Sequence, residues 1–237
     1  SAMSTKYLSQ PFDIHAGGID LIPVHHENEI AQSEAAIGKP FVRYWLHGEF
    51  LLVDGGRMGK SLGNAYTLED LEKRGFDPMD YRYFCLGAHY RSKLNFTWEG
   101  LEGAKNALQK LRRKFLELEE KDVSPDSSII ELFRVALEDD LAMPRALALV
   151  WDTLQHEALA SAVKRATLLE MDRVLGLGMS SWSNNQDIPE DIRCLQEKRD
   201  QARAMKDWRA SDVLRDELRQ KGWLVEDSSK GSSVRRA

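Results

Sequence analysis

The strongest constraint on the fold is a long series of apolar residues at helical spacing in the second half of the chain. Leu101, Ala104, Leu108, Leu111 and Phe115 recur every three or four positions, which puts them on one face of a helix. The same period predicts amphipathic helices over 129–137, 143–156 and 158–175, the last ended by Gly176 and Gly178. Helices that each carry one apolar stripe must bury it against one another, so this stretch predicts a helical bundle. The polar segment 123–128, with Pro125, reads as a linker within it.

Upstream of the bundle the period changes. An apolar run from Phe12 to Ile22 is broken by Gly17 and Gly18, as expected of a strand that ends in a tight turn. Good helix formers follow from His25 to Ile37, with Gly38 and Pro40 as the stop. Residues Phe41 to Val53 alternate in part and predict another strand, leading into the Asp54-Gly55-Gly56 loop. These pieces predict the latter part of an alternating α/β domain. Thr67 with Asp70 marks a helix start of capping-box type, and Asp77-Pro78 marks a second, ending near Gly87.

The Ser/Asn/Gln-rich stretch 180–187 is the clearest domain boundary. Beyond it, 189–206 and 208–221 predict a helical hairpin, 222–227 a short strand, and the rest a small-residue, Arg-rich tail. The expected fold is therefore mainly α with an α/β N-terminal part and a small C-terminal α+β domain. The boundaries fall at 1–53, 54–95, 96–180 and 188–237.

Composition narrows the class without naming a function. The 237 residues carry a net charge of -5 and a mean hydropathy of -0.47, which fits a soluble chain with real cores. No stretch approaches the roughly 18 apolar residues of a membrane span. Residues 1–5 show neither a signal-peptide core nor an Arg-rich transit character. Two cysteines, Cys85 and Cys194, are too few for a disulfide framework or a zinc ribbon, and a cytoplasmic location is expected. The acidic balance gives no global nucleic-acid signature, although local basic patches can still bind RNA.

Three local patterns could carry chemistry. In His25-His26-Glu27-Asn28-Glu29, His25 and Glu29 lie one helical turn apart and could share an ion, and His26 with Glu29 is also geometrically possible. Spacing leaves open a solvated polar helix start, where the dipole favours acids. In the loop from Gly55 to Asn64, Arg57 and Lys60 could reach phosphate oxygens and Ser61 adds a hydroxyl. The glycine spacing is not that of a Walker loop, and a flexible basic turn is the alternative. At Asp13 to Leu21, glycines at a strand end permit close approach of a ligand, and Asp20 could accept from ribose hydroxyls. Most such turns are merely turns.

The order of these patterns resembles the cysteinyl-tRNA synthetase family. That family shows Phe-Asp-Ile-His-Gly-Gly-Gly, then Pro-His-His-Glu-Asn-Glu, then Lys-Met-Ser-Lys-Ser-Leu-Gly-Asn. Here they stand as Phe12 to Gly18, Val24 to Glu29 and Arg57 to Asn64, with Arg82-Tyr83-Phe84, His89-Tyr90-Arg91-Ser92, Asn95-Phe96 and Ala204 to Trp208 matching downstream. The resemblance implies the second half of a Rossmann-type class I catalytic domain, followed by a bundle and an anticodon-side domain. It implies His25 and Glu29 as zinc ligands, and Lys60 as the phosphate-stabilising lysine with Arg57 and Ser61 beside it. His15, Gly17, Gly18 and Asp20 would line the adenylate pocket, ATP entering with magnesium. Implied partners are cysteine and the cysteine tRNA, with no membrane and a monomeric state.

Departures from the family pattern matter too. Arg57 stands for a lysine and Gly59 for a serine. The remaining zinc ligands and the first nucleotide motif of the family lie upstream of anything in this sequence, so this chain alone is expected not to aminoacylate. Two alternatives remain: a non-catalytic tRNA-binding paralogue, and a cysteine:amino-sugar ligase, which the tail from Pro189 disfavours. Arg199, Arg203, Lys206, Arg209 and Arg215 could give that tail a basic face, Trp208 is expected in its core, and both cysteines are expected to be buried thiols.

Overall fold

The computed structural model describes residues 1–183, 190–228 and 231–236, and the chain divides into two compact units, Ser1–Ser181 and Trp182–Ala237. Most described residues are helical, with three small sheets. Among them, no helix is long and apolar enough to cross a membrane.

The first unit opens with α1 (Ala2–Leu8) and a β-α-β arrangement: β1 (Phe12–Gly18), α2 (Glu27–Ile37) and β2 (Val42–Gly48). The two strands run parallel, with Phe12 opposite Val42 and Gly17 opposite His47. Parallel neighbours need a crossover, and α2 supplies it. Gly38, at φ 70°, closes α2 in the left-handed conformation that glycine adopts at least cost. Phe12, Phe41 and Val42 form a small core where the two strands begin, with Trp45 packed on it.

The single strand expected over 41–53 is two strands. After Gly48 the chain turns, the Glu49 amide donates to the Tyr90 carbonyl, and β3 (Leu51–Val53) joins a different sheet. That sheet has the order β4 (Gly56–Arg57), β3, β5 (Leu94–Phe96), so its strands come from either side of the 53/54 and 95/96 borders. A partial alternation cannot reveal where a strand changes sheets.

The helix starts follow local chemistry. Thr67 caps α3 (Leu68–Lys73) in a reciprocal box with Asp70, and Asp77 does the same with Asp80 for α4 (Pro78–Leu86). Thr97 caps α5 (Trp98–Leu116), which buries Leu101, Ala104, Leu108, Leu111 and Phe115, the stripe read from the sequence. α6 (Ser127–Glu138) begins two residues early because Asp126 accepts from the Ser128 and Ile129 amides. α7 (Met143–Gln155) and α8 (Ser161–Leu175) complete the bundle. Its end is pinned by buried Asp172, whose two carboxylate oxygens accept from the Leu177 and Met179 amides at 2.7 Å. Arg82 Nε donates to the Leu175 carbonyl at 2.7 Å, and a Cβ on Gly176 would lie 2.7 Å from that guanidinium.

The second unit packs the hairpin of α9 (Glu190–Ala204) and α10 (Trp208–Gln220) on an antiparallel pair, β6 (Trp223–Ser228) and β7 (Gly231–Arg236). Its core is Ile192, Leu195, Leu218, Trp223 and Val234. Three expectations need correction here. Trp208, the first residue of α10, is 59% exposed and lies outside that core. Arg199 is 2% exposed, so it contributes nothing to a basic face. Cys194 is exposed and Cys85 half-buried. Within the expected tail, Gly231–Arg236 form β7. Residues 184–187 of the expected boundary lie outside the described residues, as do 188 and 189 of the expected C-terminal domain.

Candidate metal and nucleotide site

The imidazole and carboxylate groups converge where β1 and β2 meet the start of α2. A π-helical turn, Ile22–His26, leads into α2 and delivers His25 and His26 one residue apart, hence in different directions. His26 turns inward and is 3% exposed, whereas the His25 side chain is 60% exposed. Glu29, in the first turn of α2, has 13% of its side chain exposed.

Glu29 is the hub. His15, on β1, places Nε2 2.7 Å from Glu29 Oε2, and His25 Nε2 approaches the same oxygen to 3.7 Å. Burial works against the Glu29 charge, but the hydrogen bond and charge of His15, then the charge of His25, outweigh it and hold the carboxyl below its usual range. His26 Nδ1 meets His47 Nε2 at 2.7 Å. Burial first, then the neighbouring His15 and His47, lowers the His26 pKa. Phe12, Phe41 and Trp45 surround the His15 ring, and Trp45 lies parallel to His47, with 6.0 Å between ring centroids. The sequence-selected His15, His25, His26 and Glu29 are thus brought together, and the structure adds His47. His47 carries no spacing signal, since it reaches the site only through the register that sets it opposite Gly17.

Gly17 has a steric reason, since a Cβ there would lie 2.7 Å from Cε1 of the buried His26. One on Gly18 would meet only the exposed Asp20 carboxylate, at 2.4 Å, which can swing away. Asp20 follows β1 in a short 3-10 turn, Ile19–Leu21, and is exposed. Gly17 and Gly18 thus end β1, with His15 within the strand and Asp20 in the turn that follows it.

The basic loop runs on from the end of β4. Arg57 is exposed, Met58 packs against the core of Val53, Leu71, Phe96 and Leu101, and Lys60–Leu62 form a 3-10 turn with Ser61 exposed. The side chain of Lys60 lies outside the described residues. Asn64 closes the loop, a role the sequence did not suggest. Its Oδ1 accepts from the Gly59 amide at 2.8 Å, and its Nδ2 donates to the Arg57 carbonyl at 3.0 Å.

Residues 1–106 match the family model of the class I (C) tRNA synthetase catalytic domain, and 185–235 match that of the cysteinyl-tRNA ligase anticodon binding domain. A solved ternary complex of the LeuRS of Agrobacterium radiobacter K84 agnB2 with tRNA and LeuAMS superposes at a TM-score of 0.53. It covers 73% of this chain and 26% of that one, at 17% identity, a likeness of fold alone. Catalytic domain and fold are those of the class I synthetases. Among curated relatives, cysteine–tRNA ligase 1 of Burkholderia lata is 46% identical over 99% of this chain and 50% of its own length. The cysteine–tRNA ligase of Chlamydia muridarum is 41% identical over 100% of this chain and 55% of its own. The chain belongs to the cysteine–tRNA ligase family, and it spans about half the length of the curated relatives it matches.

Proposed function

We propose that this chain supplies the second half of a site that activates cysteine with ATP and charges the cysteine tRNA. The observation that carries this reading is the convergence of His15 and His25 on the partly buried Glu29 carboxylate, beside a glycine-lined strand end. In it, His25 and Glu29 hold a zinc ion together with ligands from outside this chain. An imidazole and a carboxylate are hard-to-borderline donors that suit zinc, but tetrahedral binding asks for more than two of them. When bound, the ion favours a thiolate over a hydroxyl, the discrimination that a cysteine site needs.

The chain's own groups do the rest. Gly17 and Gly18 let the nucleotide approach the backbone, and Asp20 accepts from its ribose. Arg57, Lys60 and Ser61 neutralise triphosphate charge as the substrate carboxylate attacks the α-phosphate. Positioning and charge stabilisation dominate such a reaction. Asn64 holds the loop's backbone in place, and His15 keeps Glu29 oriented.

Domain borders at 1–53, 54–95, 96–180 and 188–237 assign these groups to the catalytic domain and to the loop region after it. The C-terminal unit contributes tRNA binding through exposed Met205, Lys206, Trp208 and Arg209 at the hairpin tip. A second reading, tRNA binding without catalysis, draws on Arg57 and Gly59 standing where the family has lysine and serine.

Cysteine-dependent ATP–pyrophosphate exchange separates the possibilities. The 237-residue chain alone should show none, and adding the N-terminal half of a relative should restore it. Robust exchange by the chain alone overturns the half-site reading, and no exchange after complementation favours the second.

A further inference from the structure

One cavity in the first unit is used by none of the groups assigned above to zinc, ribose or triphosphate. It lies between the β4-β3-β5 sheet and the helices α3 and α4, and has a volume of about 170 Å³. Its walls are chiefly Leu51, Met58, Tyr66, Leu71, Tyr81 and Phe96. Thr67 and Leu68, both exposed, complete it on the solvent side.

The chemistry of the walls suits an uncharged ring. No charged side chain among the described residues lines the cavity. The Thr67 hydroxyl is taken up by the capping box, accepting from the Asp70 amide at 3.3 Å and donating to its carboxylate at 2.8 Å. Tyr81 is hydrogen-bonded to Cys85, and burial pushes its phenol pKa up to about 12. A water here would find few of the polar partners that hold a buried water in place. The three rings already meet at angles, Phe96 with Tyr66 at 5.8 Å and with Tyr81 edge-on at 6.3 Å between centroids. Such rings offer faces and edges to a fourth. An apolar cavity of about 150 Å³ is enough to hold benzene, so the space fits a single ring with a small substituent.

The cavity also touches the basic loop. Met58 is part of its wall, and Asn64 holds the backbone on either side of Met58, through the Arg57 carbonyl and the Gly59 amide. A molecule packed on the Met58 thioether is thus one side chain away from the loop backbone.

We propose that this cavity binds one small, uncharged, single-ring aromatic molecule between Tyr66, Tyr81 and Phe96, and that Met58 passes its occupancy to the basic loop. The ring fills space that leaves the cavity walls short of dispersion contacts, and a polar substituent stays at the exposed side by Thr67 and Leu68. The site does not rest on the synthetase reading, because no group proposed to hold metal, nucleotide or tRNA lines it.

para-Cresol, titrated into the 237-residue chain, tests it by calorimetry and by NMR of the methionine methyl and asparagine side-chain amide groups. The expected result is saturable binding of one molecule, with Met58 and Asn64 shifting together and Met179, buried in the bundle, staying in place. Benzoate, which brings a charge to the same ring, should bind at least about tenfold more weakly. Cyclohexanol, without an aromatic face, should bind about threefold more weakly or worse. Leu51→Phe fills the cavity from β3 and should weaken para-cresol binding by about tenfold or more. The signals of the unaltered protein and the two control ligands give the answer even where that variant folds poorly. No saturable binding, a shift at Met58 without one at Asn64, equal binding of benzoate or cyclohexanol, or undiminished binding by folded Leu51→Phe overturns the proposal. None of these results bears on pyrophosphate exchange by the complemented enzyme.

Discussion

At the scale of single residues, the site is a packing problem before it is a chemical one. Gly17 is required because the His26 ring occupies the place of its side chain. Gly17→Ala forces the ring or β1 to move, and overpacking of this kind costs about 1–3 kcal/mol. Urea unfolding should register that loss, and an unchanged midpoint would refute the steric account. Gly59 is different, because a Cβ there meets Leu62 at 3.6 Å and Ser61 Oγ at 3.9 Å, both ordinary contact distances. Gly59→Ser, which restores the family's hydroxyl, should leave stability within about 0.5 kcal/mol, as a half-buried change in a loop without steric conflict does.

At the scale of elements, the bundle depends on α5 and on one turn that holds it to the preceding segment. Leu111 is fully buried on the α5 stripe, so Leu111→Ala should cost about 2–5 kcal/mol in chemical denaturation. The α6–α7 turn places Asp140 and Leu141 at positive φ, 52° and 53°, and donors from another segment hold it there. Tyr90 donates to Asp140 Oδ1 at 2.6 Å and Arg91 to Oδ2 at 2.8 Å, while His89 contacts the Asp140 carbonyl. The Tyr90 hydrogen bond first, then that of Arg91, holds the Asp140 carboxyl below its usual range. A depressed folded-state pKa gives a contribution present above the unfolded value and lost as pH falls through the folded one. The stability gap between the protein and Asp140→Asn should therefore be widest near neutral pH and close below about pH 4. A gap independent of pH would show that the charge plays no part.

At the scale of the whole molecule, each unit has its own core, and its exposed surface is where a partner is expected. Trp208, at the tip of the α9–α10 hairpin, is not needed for packing. Stacking of a base on an aromatic ring contributes about 1–3 kcal/mol. Trp208→Ala should thus weaken binding of the cysteine tRNA by roughly 5- to 150-fold at fixed salt, with the melting profile unchanged. Equal affinity for the variant would remove Trp208 from the interface. Trp223→Ala, in contrast, removes the largest side chain of the second unit's core and should unfold that unit selectively in calorimetry.

Features that depend on near neighbours along the chain are legible in the residues alone. The α5 stripe, the Thr67 and Asp77 caps, the Gly38 stop and the order of the three motifs are local patterns, and each appears where the residues predicted it. Local propensity and capping act within one or two turns, so no knowledge of the rest of the molecule was needed. Tertiary structure decided what depends on strands meeting or on helices facing each other. The β2–β3 break, the partnership of His47 with His26, and the closure of the basic loop by Asn64 all follow from register or through-space contact. So does the choice between two adjacent histidines. A residue-to-residue step on a helix turns the side chain by about 100°, and only the packed strands beside it decide which of the two is buried.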